Sequence, residues 1–218
     1  APQAFRFALA PMTNDFVALL KKRATDMSAI TDAKIKVSFN GTVIPVKNFQ
    51  QYTQLYVPPP DADAANEIDA DADADADETA TETTDPTNPT VTKKQAILWE
   101  CPHPRWEYAV MLSPSNEFKQ VSFVNGIATF KGGRHVDYIM GQITRQVCEA
   151  IEKKHKIKVS PQTIREQLML FIRCDIENPS FESQSKDFLS TPTNKFGSTC
   201  EVSPAFIKKV LGLGIAKT

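Results

Sequence analysis

The sequence predicts an α+β domain in which helices pack on one face of a sheet. Three observations carry this. Apolar residues alternate in strand fashion between residues 96 and 130. A long helical period follows from Val136, and a strand and a further helix close the chain. With 218 residues, 41% of them hydrophobic, the chain is long enough for one to two domains with a packed core.

Taken in order, residues 14–30 place Phe16, Leu19, Leu20, Ala24 and Met27 at helical spacing, with Thr13 or Asn14 as N-cap. Lys34 to Phe39 alternates as a half-buried strand should. Asn40-Gly41 then supplies a type I′ turn into Thr42–Val46. Phe49 to Val57 is expected to dock as a turn or two of helix. Pro58 opens a segment of Asp, Ala, Glu, Thr, Asn and Pro that runs to Lys93. Ile68 is its one aliphatic residue larger than alanine before Val91, which predicts a disordered linker over residues 58–95.

Beyond the linker, strands are expected at Ala96–Cys101 and Arg105–Ser113, and strand-like alternation continues over Phe118–Phe130 until Gly132-Gly133 breaks it. Val136 to Lys154 is a long helix whose buried stripe is Val136, Ile139, Met140, Ile143, Val147 and Ile151. Ser160-Pro161 starts a short helix, Leu168–Ile176 is a strand, and Phe196–Val202 is expected to be another. Ser203-Pro204 caps the last helix.

The charge total misleads. Lys and Arg number 25 against 26 Asp and Glu, but residues 58–92 hold 11 of the acids and no Lys or Arg. The remainder is therefore a body of net charge +10, compatible with a polyanionic partner. No apolar run approaches the roughly 18 residues that span a bilayer, and Ala1–Ala10 is too short for a signal peptide and carries Arg6. Cys101, Cys148, Cys174 and Cys200 are far apart in sequence and are expected to be reduced, mostly buried thiols of an intracellular protein. Cys101 and His103 lack the further ligands that a zinc site needs. Asp71, Asp73, Asp75 and Glu82 fall at calcium-loop positions, but Ala76 stands where the turn requires glycine, so the match reflects an acidic repeat.

No complete catalytic set emerges: there is no Walker loop, nucleophile elbow or HExxH. His135 and Asp137 flank the start of the long helix, where capping and backbone hydrogen bonding are the commoner roles than acid–base chemistry. Lys153, Lys154, Lys156 and Lys158 form either a solvated helix end or a phosphate-contacting patch for duplex DNA. The long loop from Glu177 to Lys195 carries Ser183, Gln184, Ser185 and Lys186, a donor-rich tip ending in an ammonium. Such a tip suits a terminal phosphate, although its composition alone also fits an ordinary exposed loop.

Several runs resemble the ATPase region of eukaryotic-type (type IIA) DNA topoisomerase II. They are Asp15–Met27, Val37–Gly41, Phe123–Tyr138 (with Gly-Gly-Arg-His-Val-Asp-Tyr), Ile176–Lys186 (with Asn-Pro-x-Phe-x-Ser-Gln-x-Lys) and Lys195–Cys200. They keep the family's order and leave out mainly the acidic insert. The resemblance implies that residues 1–57 are the C-terminal remnant of a GHKL-type ATP-binding domain. Residues 96–218 would then be a transducer domain similar to the second domain of ribosomal protein S5. In that family a Gln-Thr-Lys loop reaches the ATP γ-phosphate; Gln184-Ser185-Lys186 matches it with serine for threonine. Gln184 and Lys186 are thus the implied ATP-contacting residues. The resemblance also implies an ATP-hydrolysing enzyme that passes DNA strands as a homodimer, nuclear by family default. Its catalytic base and Mg2+ ligands would lie upstream of Ala1, and its cleavage core downstream, so this segment alone would not hydrolyse ATP.

Overall fold

The computed structural model describes residues 12–57 and 96–215; the acidic segment, with the calcium-loop positions, lies outside them. Helix α1 (Asn14–Ile30) begins where Thr13 Oγ1 accepts from the Phe16 N–H at 3.2 Å. The hairpin of β1 (Ser38–Phe39) and β2 (Thr42–Val43) turns on Asn40 (φ 49°) and Gly41 (φ 81°), as a type I′ turn demands. Helix α2 (Phe49–Gln54) follows, capped by Asn48.

The main sheet comprises β3 (Leu98–His103), β4 (Trp106–Leu112), β5 (Lys119–Val124), β6 (Ile127–Ala128) and β8 (Leu168–Cys174), in the order β3-β4-β8-β5-β6. All neighbours are antiparallel except β5 and β8. That parallel pair requires a crossover, which α3 (Arg134–His155) and α4 (Pro161–Glu166) provide. Two further short strands, β7 (Gly132–Gly133) and β9 (Phe188–Leu189), pair in parallel at the N-terminus of α3. Helix α5 (Pro204–Gly212) starts at Ser203, whose Oγ accepts from the Phe206 N–H.

Both sheet faces are covered, and the strand pattern shows why. On β4, Trp106, Tyr108 and Val110 face α3, α4 and α5, while Ala109 and Met111 face the opposite side. On β8, Leu168, Leu170 and Ile172 alternate likewise with Met169 and Phe171. A strand with two dry faces reads as an unbroken apolar run. The second face is covered by Ala29, Ile44, Val46, Phe49 and Tyr52 from the N-terminal segment, so that segment shares a core with the sheet.

Three expectations need correction. Most of the α1 stripe is not the face that packs: Phe16, Leu19, Leu20 and Met27 are 39–58% exposed, Ala24 is partly buried against the core, and Asp26, Ser28 and Ala29 are buried. The buried end is held by directed bonds, Ser28 Oγ donating to Val46 O (2.5 Å) and Tyr52 Oη to Asp26 Oδ1 (2.8 Å). The run 118–130 is two strands about Asn125 (φ 49°) and Gly126 (φ 77°), a second hairpin turn of the same type as the first. Finally, Phe196–Val202 is not a strand. Its backbone is paired with side chains of α3: Gln142 donates to Cys200 O (3.0 Å) and accepts from Val202 N (3.1 Å), and Gln146 donates to Val202 O (3.3 Å). Those amides satisfy groups that a sheet neighbour would otherwise have to satisfy.

Candidate functional site

The loop between β8 and α5 is a built structure. At its base, Arg105 Nε donates to Asp175 O (3.0 Å) and Arg105 Nη1 to Gly197 O (3.2 Å), joining its two ends. The side chain of Asn125 accepts from Ile176 N at 2.7 Å and donates to Ile176 O at 2.9 Å. Above this base the chain forms an irregular hairpin: Ser190 N donates to Ser180 O, Glu182 N to Phe188 O, and Phe181 bridges Leu189.

The hairpin tip is Ser183–Asp187. Lys186 N donates to Ser183 O at 3.0 Å, closing a turn in which Lys186 itself takes φ 59°. Ser183 and Ser185 share a hydroxyl–hydroxyl bond of 2.6 Å, and Ser185 Oγ donates to Asp187 Oδ2 at 2.9 Å. The Asp187 carboxylate of the tip is therefore engaged by a serine. Gln184 is exposed and Lys186 partly so, and among the described residues Lys186 has no carboxylate within ion-pair distance. Its ammonium lies 6.0 Å from the Phe181 ring centroid, at the outer limit of a cation–π contact. The tip thus offers an ammonium and an amide on a short, internally bonded turn.

The four lysines of the second candidate site lie at the other end of α3. Lys153 and Lys154 fall in its last turn, Lys156 is its left-handed C-cap (φ 60°), and all four are exposed. Among the described residues, Lys158 is the one of the four that approaches a carboxylate, Glu152 at 4.0 Å. A helix of 22 residues separates this cluster from the hairpin, about 33 Å at 1.5 Å per residue. The structure keeps the two sites apart.

His135 and Asp137 are not an acid–base pair. His135 is buried, its Nε2 pairs with Thr129 Oγ1 at 3.3 Å, and desolvation pushes its pKa down to about 3. Asp137 faces Arg165 at 3.1 Å. Among the described residues neither bonds a loop backbone, the role favoured by sequence. Cys174 and Cys200 are buried, Cys148 is half-buried and Cys101 is exposed; burial pushes the Cys200 thiol up to about 12. Among the described residues no three His, Cys, Asp or Glu side chains are placed to hold a metal, and no helix is long and apolar enough to cross a membrane.

Sequence reasoning read Gly133 as a strand breaker and part of a family motif, not as a contact residue, and did not single out Leu189. Gly133 (φ 140°) lies so close to the strand carrying Leu189 that an added Cβ would sit 2.5 Å from the Leu189 backbone N and O. The doubled glycine before a helix was the available signal, and it reads equally well as a strand breaker.

The described residues define an α+β domain, a sheet with helices packed on it, that presents a donor-rich hairpin. Comparison with known proteins gives the family. The family model described as DNA gyrase B matches residues 66–212, well over half of the chain. The chain is 38% identical to DNA topoisomerase 2 of Arabidopsis thaliana over 99% of its own length and 13% of that protein's. It is 33% identical to DNA topoisomerase 2-alpha of Mus musculus over 100% of its own length and 12% of that protein's. Among solved structures it resembles the ATPase region of Saccharomyces cerevisiae topoisomerase II, with TM-score 0.74, 31% identity, and coverage of 98% of this chain and 46% of that one. It also resembles the ATPase and transducer domains of DNA topoisomerase II from Balamuthia mandrillaris, with TM-score 0.70, 32% identity, and coverage of 91% and 41%. The chain belongs to the DNA gyrase B family and is a segment of type IIA topoisomerase II kind, spanning about one eighth of the length of these curated relatives.

Proposed function

We propose that this segment is the nucleotide-sensing transducer of an ATP-dependent type II DNA topoisomerase, reading the terminal phosphate of ATP through Gln184 and Lys186. The observation that carries the reading is the hairpin tip: an ammonium with no carboxylate partner among the described residues, on a turn bonded through Ser183, Ser185 and Asp187. Lys186 supplies a compact positive charge and Gln184 an amide donor, which together fit a phosphate's oxygens.

A charge-assisted contact of this kind contributes about 1.5–3 kcal/mol. The upper figure is roughly a hundredfold in population, whereas driving a switch from 1:99 to 99:1 takes about 5.5 kcal/mol. Lys186 therefore biases a conformational change without driving it alone. Homodimerisation of the ATP-binding part supplies the rest, and hydrolysis, with Mg2+ and its ligands, belongs to that part of the polypeptide. The cleavage core of the same polypeptide would act on duplex DNA in the nucleus.

The division into residues 1–57 (ATP-binding remnant), 58–95 (linker) and 96–218 (transducer) belongs to this proposal. The exposed stripe of Phe16, Leu19, Leu20 and Met27 supports it, since such a face fits a helix belonging to a larger domain. A second reading, that Lys153, Lys154, Lys156 and Lys158 contact duplex DNA, is favoured by their shared exposure at one end of α3.

The test is Lys186→Ala in the full-length enzyme. The expected result is weaker binding of a non-hydrolysable ATP analogue and slower DNA relaxation. Wild-type values for both would remove Lys186 from the mechanism.

A further inference from the structure

The hairpin that carries Lys186 pairs with the segment that leads into α3. Lys131 N donates to Asp187 O at 2.9 Å, and the parallel register then pairs Gly132 with Phe188 and Gly133 with Leu189. Both glycines and Leu189 are buried. The approach at Gly133 is backbone against backbone: an added Cβ would lie 2.5 Å from Leu189 N and O and 2.8 Å from its Cα, distances at which something must shift. Gly132 differs. The nearest atoms its Cβ would meet are the ends of Val136 (3.4 Å) and Gln120 (3.6 Å), and its φ of 76° disfavours other residues less severely than the φ of 140° at Gly133.

Helix α3 begins directly from this contact. Gly133 occupies its N-cap position and provides no side-chain cap, so the pairing with β9 holds the first turn. On the hairpin side, Asp187 alone separates Lys186 from Phe188, and two residue steps span at most about 7 Å. A displacement of the tip has little slack to be absorbed before it reaches α3. Helix α3 is then held along its length by Asp137–Arg165 and by the Gln142 and Gln146 bonds to residues 200–202.

We propose that Gly133 and Leu189 form a backbone clamp that makes α3 move with the Lys186 hairpin, so that Gly133 is a positioning residue coupling nucleotide state to the far end of the domain. The clamp rests on the reading of Lys186 as a phosphate sensor. It adds the route by which the signal leaves the site.

The experiment compares Gly133→Ala with Gly132→Ala in the full-length enzyme. Hydrogen exchange at Arg134–Ile139 is measured with and without a non-hydrolysable ATP analogue, together with DNA strands passed per ATP hydrolysed. The wild-type enzyme is expected to show a nucleotide-dependent change at these amides. Gly133→Ala is expected to bind the analogue but lose that change, with coupling down about tenfold. Gly132→Ala, which also forces a residue with a Cβ to a positive φ but without the backbone collision, is expected to retain it.

Equal uncoupling by both variants, no response at these amides in the wild type, or a retained response in Gly133→Ala would each overturn the clamp. Should Gly133→Ala fail to fold, a Gly-Gly insertion between Asp187 and Phe188 lengthens the link with the clamp residues in place. Loss of the response there supports the proposal, and its retention refutes it. Lys186→Ala, run alongside, reports on the sensor reading through analogue affinity, so the two failures are distinguishable.

Discussion

Asn125 and Ile176 are joined by a two-point pairing in which the Asn125 side chain takes the place of a neighbouring strand. Its Oδ1 accepts from Ile176 N–H at 2.7 Å and its Nδ2 donates to Ile176 O at 2.9 Å, while Asn125 N donates to Cys174 O at 3.0 Å. The residue that forms the left-handed corner of the β5–β6 turn thereby fixes the point where β8 ends and the Lys186 loop begins. Asparagine is suited to both tasks, since it tolerates φ 49° and carries a donor beside an acceptor.

Asn125→Ala is expected to lower stability by about 1–3 kcal/mol, because the partly buried backbone groups of Ile176 lose both partners. Denaturant unfolding measures this. Hydrogen exchange should also quicken across residues 176–198 before it changes in β4 or β8.

Much of the fold was legible because its signals are local. The α3 stripe, the Ser160-Pro161 and Ser203-Pro204 helix starts, and the Asn40-Gly41 turn each depend on residues within a few positions of one another. Asn125-Gly126 carries the same turn signal, and the alternation on either side of it concealed it. What periodicity cannot supply is the partner. It marked the stripe of α1, but the buried face is the one carrying Asp26 and Ser28. In Phe196–Val202 a strand-like composition is paired with glutamine side chains 56 to 60 residues away. For the candidate site, Gln184 and Lys186 were expected through family resemblance and stand as a proposal; the two-residue pairing of β7 with β9 leaves almost no pattern to read.

Ser185 is expected to order the tip. Its hydroxyl joins Ser183 to Asp187, and without it the Asp187 carboxylate is released beside Lys186. Ser185→Ala should leave global stability within about 0.5 kcal/mol, as expected for an exposed position. In the full-length enzyme it should raise the KM for ATP more than it changes kcat, and Ser185→Thr, which keeps the hydroxyl, should restore it. Steady-state ATPase kinetics distinguish this from a general loss of activity.

The lysine cluster makes a salt-dependent prediction. Each phosphate contact that Lys153, Lys154, Lys156 or Lys158 makes with duplex DNA contributes about 0.9 to the slope of log affinity against log salt. Replacing all four with alanine in the full-length enzyme should flatten that slope by up to about 3.6, without changing affinity for a non-hydrolysable ATP analogue. An unchanged slope would assign the cluster to a solvated helix end, stabilised only by its position at the C-terminus of α3.

His135 makes the stability of the domain depend on acidity. Burial holds its pKa down at about 3, against an ordinary value of 6.5, so the folded chain keeps it neutral while the unfolded chain protonates it on acidification. Below pH 6.5 the unfolded state binds the extra proton. Stability should therefore fall as pH drops from about 6.5 towards 3, by as much as 1.4 kcal/mol per unit from this residue alone. Above pH 6.5 both states leave the imidazole neutral, and its contribution is flat. His135→Met keeps an uncharged side chain against Thr129 and removes the titration, although the bond between His135 Nε2 and Thr129 Oγ1 is lost. The variant should be less stable than the parent at pH 7.5 but lose less stability between pH 6.5 and 4.5. Urea unfolding at a series of pH values separates the two effects, since the first is a constant offset and the second a difference in slope.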